Sequence, residues 1–208
     1  MKFSLVSLLP FATLSMSLQY TSGYESLKLG RLQESEYKAL NYSEDWSVGR
    51  PEVQVSNAKW NSKRVLFSGP REVGKSFGYM TRTNKSDKFS AQSVYVACSI
   101  KSDNGDNKNG RGKGKKDSKG EPDNKNKRNK KTVPCSILIN ASTRNELGIE
   151  PTPKIVHYNQ LGRLQEVNTE DFEDINKITF TVTKAGTDEE VTGNVTLVVD
   201  DFKYAFDD

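Results

Sequence analysis

Short apolar segments that alternate with period two constrain the fold of this chain more than any other feature. Residues 177–183 are the clearest case, because their isoleucine, phenylalanine and valine fall on one side of an extended strand and their threonines on the other. Helical periodicity is weak, with only short candidates at 26–39 and 170–175. Further segments lie at 53–55, 65–67, 94–100, 135–139, 155–158, 178–182 and 195–202. This set predicts an all-β protein built as a two-sheet antiparallel sandwich.

The first seventeen residues have the features of a secretion signal. One charge, Lys2, precedes an apolar run that is too short to span a bilayer, and the small residues Ser15 and Ser17 stand where a signal peptidase reads. A buried N-terminal helix is the alternative, which Pro10 disfavours. No later segment approaches about 18 consecutive apolar residues. We therefore expect a signal peptide at 1–17 and a secreted, extracellular protein without a membrane span.

The remaining residues, 18–208, are enough for one domain with a sizeable core, whereas two domains would each be small. The sequence therefore predicts a single sandwich domain.

Two cysteines, Cys98 and Cys135, are the only ones in the chain. In an oxidising compartment they are expected to form one disulfide. Cys98 shares a strand face with Val94 and Val96, and Cys135 shares one with Ile137. Both sulfur atoms are thus expected to point into the apolar interior, from strands that could be neighbours.

Four asparagines stand in glycosylation triplets, which agrees with passage through a glycosylating pathway but also arises by chance. They are Asn41, Asn84, Asn140 and Asn194.

A basic, lysine-, asparagine- and glycine-rich insert at 101–132 separates the cysteines. Residues 101–131 contain twelve Lys or Arg and five Asp or Glu, a net charge of +7, while the whole chain carries +4. The rest of the chain is therefore mildly acidic, near −3. Because the insert has almost no apolar residues, we expect a long disordered loop. Its cations include Lys113, Lys115, Lys116, Lys127, Arg128, Lys130 and Lys131.

Three functions are open for this insert. The favoured one is a solvated surface expansion, since long loops cost little closure entropy. A second is weak, salt-sensitive contact with polyanions. A third is cleavage after Arg128, because dibasic sites in exposed loops are processing targets.

Residues 69–76 match the phosphate-binding pattern G-x-x-x-x-G-K-[ST]. A true site continues into a helix within a parallel β-α-β unit, but residues 77–84 favour a strand and end at a glycosylation triplet. We interpret the match as a coincidental turn, and nucleotide binding is the less favoured alternative.

Catalytic signals are weak. The one histidine, His157, stands in a strand-like segment, both cysteines are used by the disulfide, and no His/Cys cluster has metal-ligand spacing. Asp200 and Asp201 would suit a structural calcium ion or simply end the last strand, and the second is favoured. We expect no cofactor, no metal and no catalytic residue.

Four segments together resemble a broad group of small secreted fungal proteins. The resemblance covers about 25–206 and depends on the order of the segments 36–46, 93–98, 133–139 and 198–204. It implies a jelly-roll or galactose-binding-like β-sandwich, mostly of unassigned activity and effector-like. The long basic insert departs from the group, in which the link between the cysteines is shorter.

The function we expect is non-catalytic binding, of a cell-wall polysaccharide or, as an effector, of a host protein. Sugar recognition needs flat aromatic rings, and the candidates are Tyr42, Trp46, Trp60 and Tyr79, each of which could equally pack in the core. The alternative is a secreted polysaccharide-degrading enzyme on the same sandwich, which requires two carboxylates that converge in a cleft.

Overall fold

The computed structural model describes residues 18–32, 36–51, 62–82, 84, 87–101, 130–143, 149–186 and 194–206. The predicted signal peptide, Trp60 and residues 102–129 of the predicted insert lie outside these ranges. The regular elements of the described residues are β-strands, apart from one 3-10 turn at Tyr24–Ser26. None of the helices in this part of the chain is long and apolar enough to cross a membrane.

The strands form two antiparallel sheets, which confirms the predicted all-β sandwich. Sheet A contains β1 (Leu18–Ser22), β2 (Gly30–Arg31), β5 (Trp46–Gly49), β6 (Val65–Arg71), β8 (Ser90–Lys101), β9 (Lys130–Thr132), β12 (Gln165–Asn168) and β14 (Val195–Phe206). Its order is β12-β8-β14-β6-β5-β2, with β1 added to β14 and β9 added to β8. Sheet B contains β3 (Glu36–Tyr37), β4 (Leu40–Tyr42), β7 (Ser76–Arg82), β10 (Cys135–Ser142), β11 (Lys154–Tyr158) and β13 (Lys177–Ala185), in the order β11-β10-β13-β7-β4-β3.

Six predicted strand segments lie in β6, β8, β10, β11, β13 and β14, while the segment 53–55 lies outside the described residues. Both helical candidates are wrong. The described part of 26–39 contains two short strands, and 170–175 is an irregular connection between β12 and β13. Gly30, with a φ of 127°, interrupts the first segment, and the second is only six residues long, which is too short for a stable helix.

The predicted disulfide is confirmed, and it joins the two sheets. Cys98 on β8 belongs to sheet A and Cys135 on β10 belongs to sheet B, with their Cα atoms 6.3 Å apart. The expectation that their strands could be neighbours is wrong, because the strands face each other across the core. The indole of Trp46 crosses the same interior and meets the ring of Phe180 edge-on, with 5.9 Å between centroids.

The outer faces of the two sheets differ. On sheet A the outward side chains of Ala97, Thr196 and Val198 are buried, with 0 to 2% of their surface exposed, while the outward Phe67 and Tyr95 are half-buried. On sheet B the outward residues of β10 are half-buried, and Ile155 on β11 is 60% exposed. Of the two faces, sheet B therefore offers the accessible one.

Candidate functional site

An aromatic side chain, Tyr79, stands on the open outer face of sheet B with 37% of its surface exposed. A β-bulge in β7 puts it there. Gly78 pairs with Phe180 of β13 but Ser76 pairs with Thr181, so Phe77 is an extra residue that the ladder skips. Regular alternation would put Tyr79 on the same face as the buried Phe77. The bulge turns Tyr79 to the outer face instead, and bulges near functional sites often redirect a side chain in this way.

The backbone of Tyr79 is held on both sides of its Cα atom. Its N–H donates to the Ser43 hydroxyl oxygen at 3.1 Å. Its carbonyl oxygen accepts from the Ser43 N–H at 3.0 Å and from the Trp46 indole N–H at 3.2 Å. These bonds fix the backbone from which the exposed ring projects.

Gly78 lets the indole approach this backbone. A Cβ atom at Gly78 would lie 2.6 Å from the Trp46 Nε1 and 3.0 Å from the Ser43 hydroxyl oxygen, both closer than van der Waals contact allows. Its φ of 132° is also a conformation that other residues rarely adopt. The contacts of Trp46 and Ser43 with the Tyr79 backbone therefore require glycine at position 78.

A shallow depression of about 380 Å³ adjoins Tyr79 on the β4 side, and Asn41, Glu44, Asp45 and Thr81 contribute to its lining. The two carboxylates are paired at its rim. Glu44 lies 3.3 Å from Arg31, and Asp45 forms an ion pair with Arg71.

A cation adjoins Tyr79 on the opposite, β13 side. The ammonium of Lys177 lies 4.3 Å from the centroid of the Tyr79 ring, within the range of a cation–π interaction. Among the described residues Lys177 has no carboxylate partner. The ring and the ammonium group thus form one amphipathic unit on the sheet surface.

The register of the sheet places further polar side chains beside this unit. Asn140, Thr179 and Tyr79 are directly opposite one another on β10, β13 and β7, and Ser142, Lys177, Thr81 and Asn41 form the next row. We call these seven residues the cross-strand strip. It crosses four strands, which is about 14 Å at the usual strand spacing.

The predicted aromatic residues separate into two groups. Tyr42 and Trp46 are in the core, 2% and 0% exposed, so the interpretation of these two as a sugar-contacting surface is wrong. Trp46 acts on the site indirectly, through its hydrogen bond to Tyr79. Tyr79 itself is at the surface, and Trp60 lies outside the described residues.

The predicted glycosylation sites fall on different surfaces. Asn41 and Asn140 are half-buried members of the cross-strand strip, whereas Asn84 and Asn194 are exposed in connections between strands. Whether any of them carries a glycan stays a prediction.

A second concave region lies at the other edge of the sandwich, beside β12 and the start of β8. Two adjoining depressions of about 550 and 500 Å³ share Gln92 and Glu170. Carboxylates of Glu166, Glu170, Glu173 and Asp174 line them, and we call this region the acidic groove. Glu166 lies 3.8 Å from Lys203 and Asp174 lies 3.7 Å from Lys88.

The phosphate-loop match at 69–76 forms the hairpin between β6 and β7. Its turn is closed by the Lys75 N–H, which donates to the Glu72 carbonyl oxygen at 3.4 Å. Strand β7 begins at Ser76, where a phosphate-binding loop would start a helix. The hairpin therefore agrees with the interpretation as a turn.

His157 is exposed on β11, where its Nδ1 lies 3.0 Å from the hydroxyl oxygen of Ser136. This is the predicted strand position, on the outer face of sheet B.

The boundaries of the insert are narrower than expected. Lys101 ends β8, and Lys130 and Lys131 belong to β9, which pairs with the end of β8. The ammonium of Lys130 lies 5.4 Å from the centroid of the Phe67 ring. The first residue and the last three residues of the predicted loop at 101–132 are therefore part of the β8–β9 strand pair. The five other named cations lie outside the described residues.

The carboxyl of Asp200 is buried on the outer side of sheet A, with 1% of its residue surface exposed. Loss of hydration raises the pKa of Asp200 to about 7, the nearby Ser62 hydroxyl opposes this, and the charges of Asp201 and Glu25 add to it. Among the residues that the structure describes, neither carboxyl oxygen has a hydrogen-bond partner within normal distance. In the described ranges no group of three or more His, Cys, Asp or Glu side chains comes together as a metal site.

No family model and no curated protein matches this chain. Among solved structures, it is similar to a mutant of CBM29-2, a family 29 carbohydrate-binding module, with 6% identity, a TM-score of 0.39 and coverage of 91% of this chain and 93% of the module. A second similar structure is the CBM22-1–GH10 portion of Clostridium thermocellum endo-1,4-beta-D-xylanase 10B, with 11% identity, a TM-score of 0.34 and coverage of 85% and 28%. A third is the CBM22-2 xylan-binding domain of Paenibacillus barcinonensis Xyn10C, with 13% identity, a TM-score of 0.30 and coverage of 85% and 97%.

Proposed function

We propose that this protein is a secreted, non-catalytic polysaccharide-binding protein that holds its ligand on the cross-strand strip. The observation that carries the proposal is the exposed Tyr79 ring on a backbone fixed by Ser43 and Trp46. A rigid aromatic ring can receive the C–H face of a sugar at little entropic cost.

The surroundings of Tyr79 supply the polar groups that orient a sugar. Within the described part of the chain the side chains of Asn41, Asn140 and Thr179 have no hydrogen-bond partner, so the Thr179 hydroxyl is available to a ligand, as are the amides of Asn41 and Asn140 in protein that carries no glycan on them. An open strip of about 14 Å suits an extended polymer better than a small molecule, which would need an enclosing pocket.

Secretion is part of the proposal. It is supported by the signal-like residues 1–17 and by the disulfide, which is typical of oxidising compartments. The effector role and a host-protein partner stay predictions, since no described feature favours them.

The test is retention of the purified protein on insoluble chitin, β-glucan, cellulose and cross-linked polygalacturonate. We expect salt-resistant retention on at least one polymer that Tyr79→Ala reduces at least tenfold and that Tyr79→Phe preserves. Leu161→Ala is the matched control, because Leu161 is a 54% exposed apolar residue in a turn away from the strip. Retention that Tyr79→Ala leaves unchanged would overturn the proposal.

The enzymatic alternative depends on the acidic groove, where Glu166 and Glu170 line the same depression. Paired carboxylates in a cleft are the elements of glycoside hydrolysis. Reducing ends released from the retained polymer by the wild type, but not by Glu170→Gln, would favour this function.

A further inference from the structure

We propose that the polysaccharide bound at the cross-strand strip is anionic, and that a sugar carboxylate pairs with Lys177. This inference rests on the proposed function. It assigns the chemical class of the ligand, a polymer that contains uronic acid residues.

Several charged side chains at and near the open face are paired with one another. Asp45 is paired with Arg71, Glu44 with Arg31, and Lys154 with Asp171 at 3.0 Å. Lys177 and Lys184, both on β13, have no carboxylate partner in the described ranges, and of these two only Lys177 belongs to the strip, where it leaves a positive charge. A carboxylate on the ligand would compensate this charge.

The position of the Lys177 ammonium also favours an anionic ligand. Because the Tyr79 ring holds it 4.3 Å from the ring centroid, part of the side-chain freedom that an ion pair costs is already lost. Because the ammonium covers the β13 side of the ring, a pyranose would lie against the opposite side, and a neighbouring residue of the same polymer would carry its exocyclic carboxylate to the ammonium. Neighbouring residues of one uronic acid polymer can thus satisfy both halves of the unit.

The presence of a single ammonium group in the strip also indicates how densely the ligand is charged. Nucleic acids and other densely charged polymers are bound through several phosphate contacts, and their readers usually add stacked aromatic side chains. The strip offers one ammonium and one aromatic ring among uncharged polar groups. This combination fits a sugar polymer with carboxylates at intervals.

A matched pair of ligands isolates the charge: polygalacturonate and the same polymer with its carboxylates converted to methyl esters. An exposed ion pair contributes up to about fivefold in affinity, so we expect the full-length wild type to bind the acid form about threefold to fivefold more tightly in low salt. The preference should shrink at high salt.

Matched variants then assign the preference to one residue. Lys177→Gln should lower the preference while binding of the ester persists, and Lys177→Arg should retain it. Lys184→Gln is the control, because Lys184 is an exposed lysine near the other end of β13. The basic insert is the same in all these proteins, so it cannot produce a difference between them.

Each outcome separates the inference from the proposed function. If the wild type binds both forms equally, or if Lys177→Gln leaves the preference intact, the assignment to an anionic polymer is wrong. If retention on neutral polymers still depends on Tyr79, the proposed function survives that result. Loss of Tyr79 dependence on every polymer would overturn both.

Discussion

The outer faces of the two sheets belong to the same sandwich but differ in what covers them. On sheet A, Ala97, Val198 and the carboxyl of Asp200 are almost completely buried. On sheet B the corresponding positions carry Thr179, Thr181 and Tyr79, which are half-buried or exposed. Both sheets have the same antiparallel hydrogen-bond pattern. The outer face of sheet A is nevertheless largely buried, whereas the outer face of sheet B can contact a ligand.

The sequence records this difference in its periodicity. Strand β13 alternates isoleucine, phenylalanine and valine with threonine, as expected for a strand with one face in the core and one face exposed to solvent. Residues 195–199 of β14 read Val-Thr-Leu-Val-Val, and the whole segment is buried. Strict alternation therefore indicates which sheet has an accessible face, and an apolar run indicates a strand covered on both sides.

The largest expected effect concerns Asp200 on the covered face. Its pKa is raised from 3.8 to about 7 by burial, so the folded state holds the proton more tightly than the unfolded state. The protonated Asp200 therefore favours the folded state fully below about pH 4, and this contribution to the free energy of unfolding is lost as the pH rises through 7. At about 1.4 kcal/mol per pKa unit, the loss is at most about 4 kcal/mol.

Urea unfolding between pH 4 and pH 8 measures this loss. Asp200→Asn should flatten the decline, whereas Asp171→Asn, which alters an exposed carboxylate, should keep it. An identical pH dependence of wild type and Asp200→Asn would show that Asp200 is not buried in this way.

The next effect concerns the support of Tyr79. We expect Gly78→Ala to lower the free energy of unfolding by about 3 kcal/mol, because the new Cβ atom would collide with the Trp46 indole and the backbone conformation would be strained. Gly74→Ala is the control, since Gly74 also has a positive φ but no atom lies within 4 Å of its Cβ position. It should cost about 1 kcal/mol. Equal losses in thermal or urea unfolding would contradict the close packing of Gly78.

A smaller effect compares the two outer faces directly. Val198→Ala on sheet A should lower stability by about 2 kcal/mol, because it removes buried methyl groups. Thr181→Ala on sheet B should change stability by less than about 0.5 kcal/mol, since its side chain is partly solvated. Urea unfolding of both variants checks the contrast, and a large loss for Thr181→Ala would show that sheet B is also covered.

The fold could be predicted because its determinants are local. The alternation of 177–183 and the apolar neighbours of Cys98 and Cys135 specify strands and inward-pointing sulfur atoms without knowledge of the topology. Which strands face each other depends on contacts distant in sequence, so the two cysteine strands were wrongly expected to be possible neighbours.

The candidate site was only partly predictable for a similar reason. Aromatic residue type does not reveal which way a ring points, so Trp46 in the core and Tyr79 at the surface were equivalent as sequence candidates. Their difference depends on the bulge at Phe77, which reverses the alternation of β7. Lys177 was missed because its closeness to Tyr79 depends on the pairing of β13 with β7.

The central claim is that the open face of sheet B binds the polysaccharide, and mapping of backbone amide chemical shifts by NMR during titration with a soluble oligosaccharide tests it most directly. The polymer retained in the binding assays specifies the oligosaccharide. The account predicts that perturbed amides cluster on β4, β7, β10 and β13 around Tyr79, and that the acidic groove is unaffected. Perturbations confined to β12 and the start of β8, or to β9 beside the insert, with β7 and β13 unchanged, would contradict it.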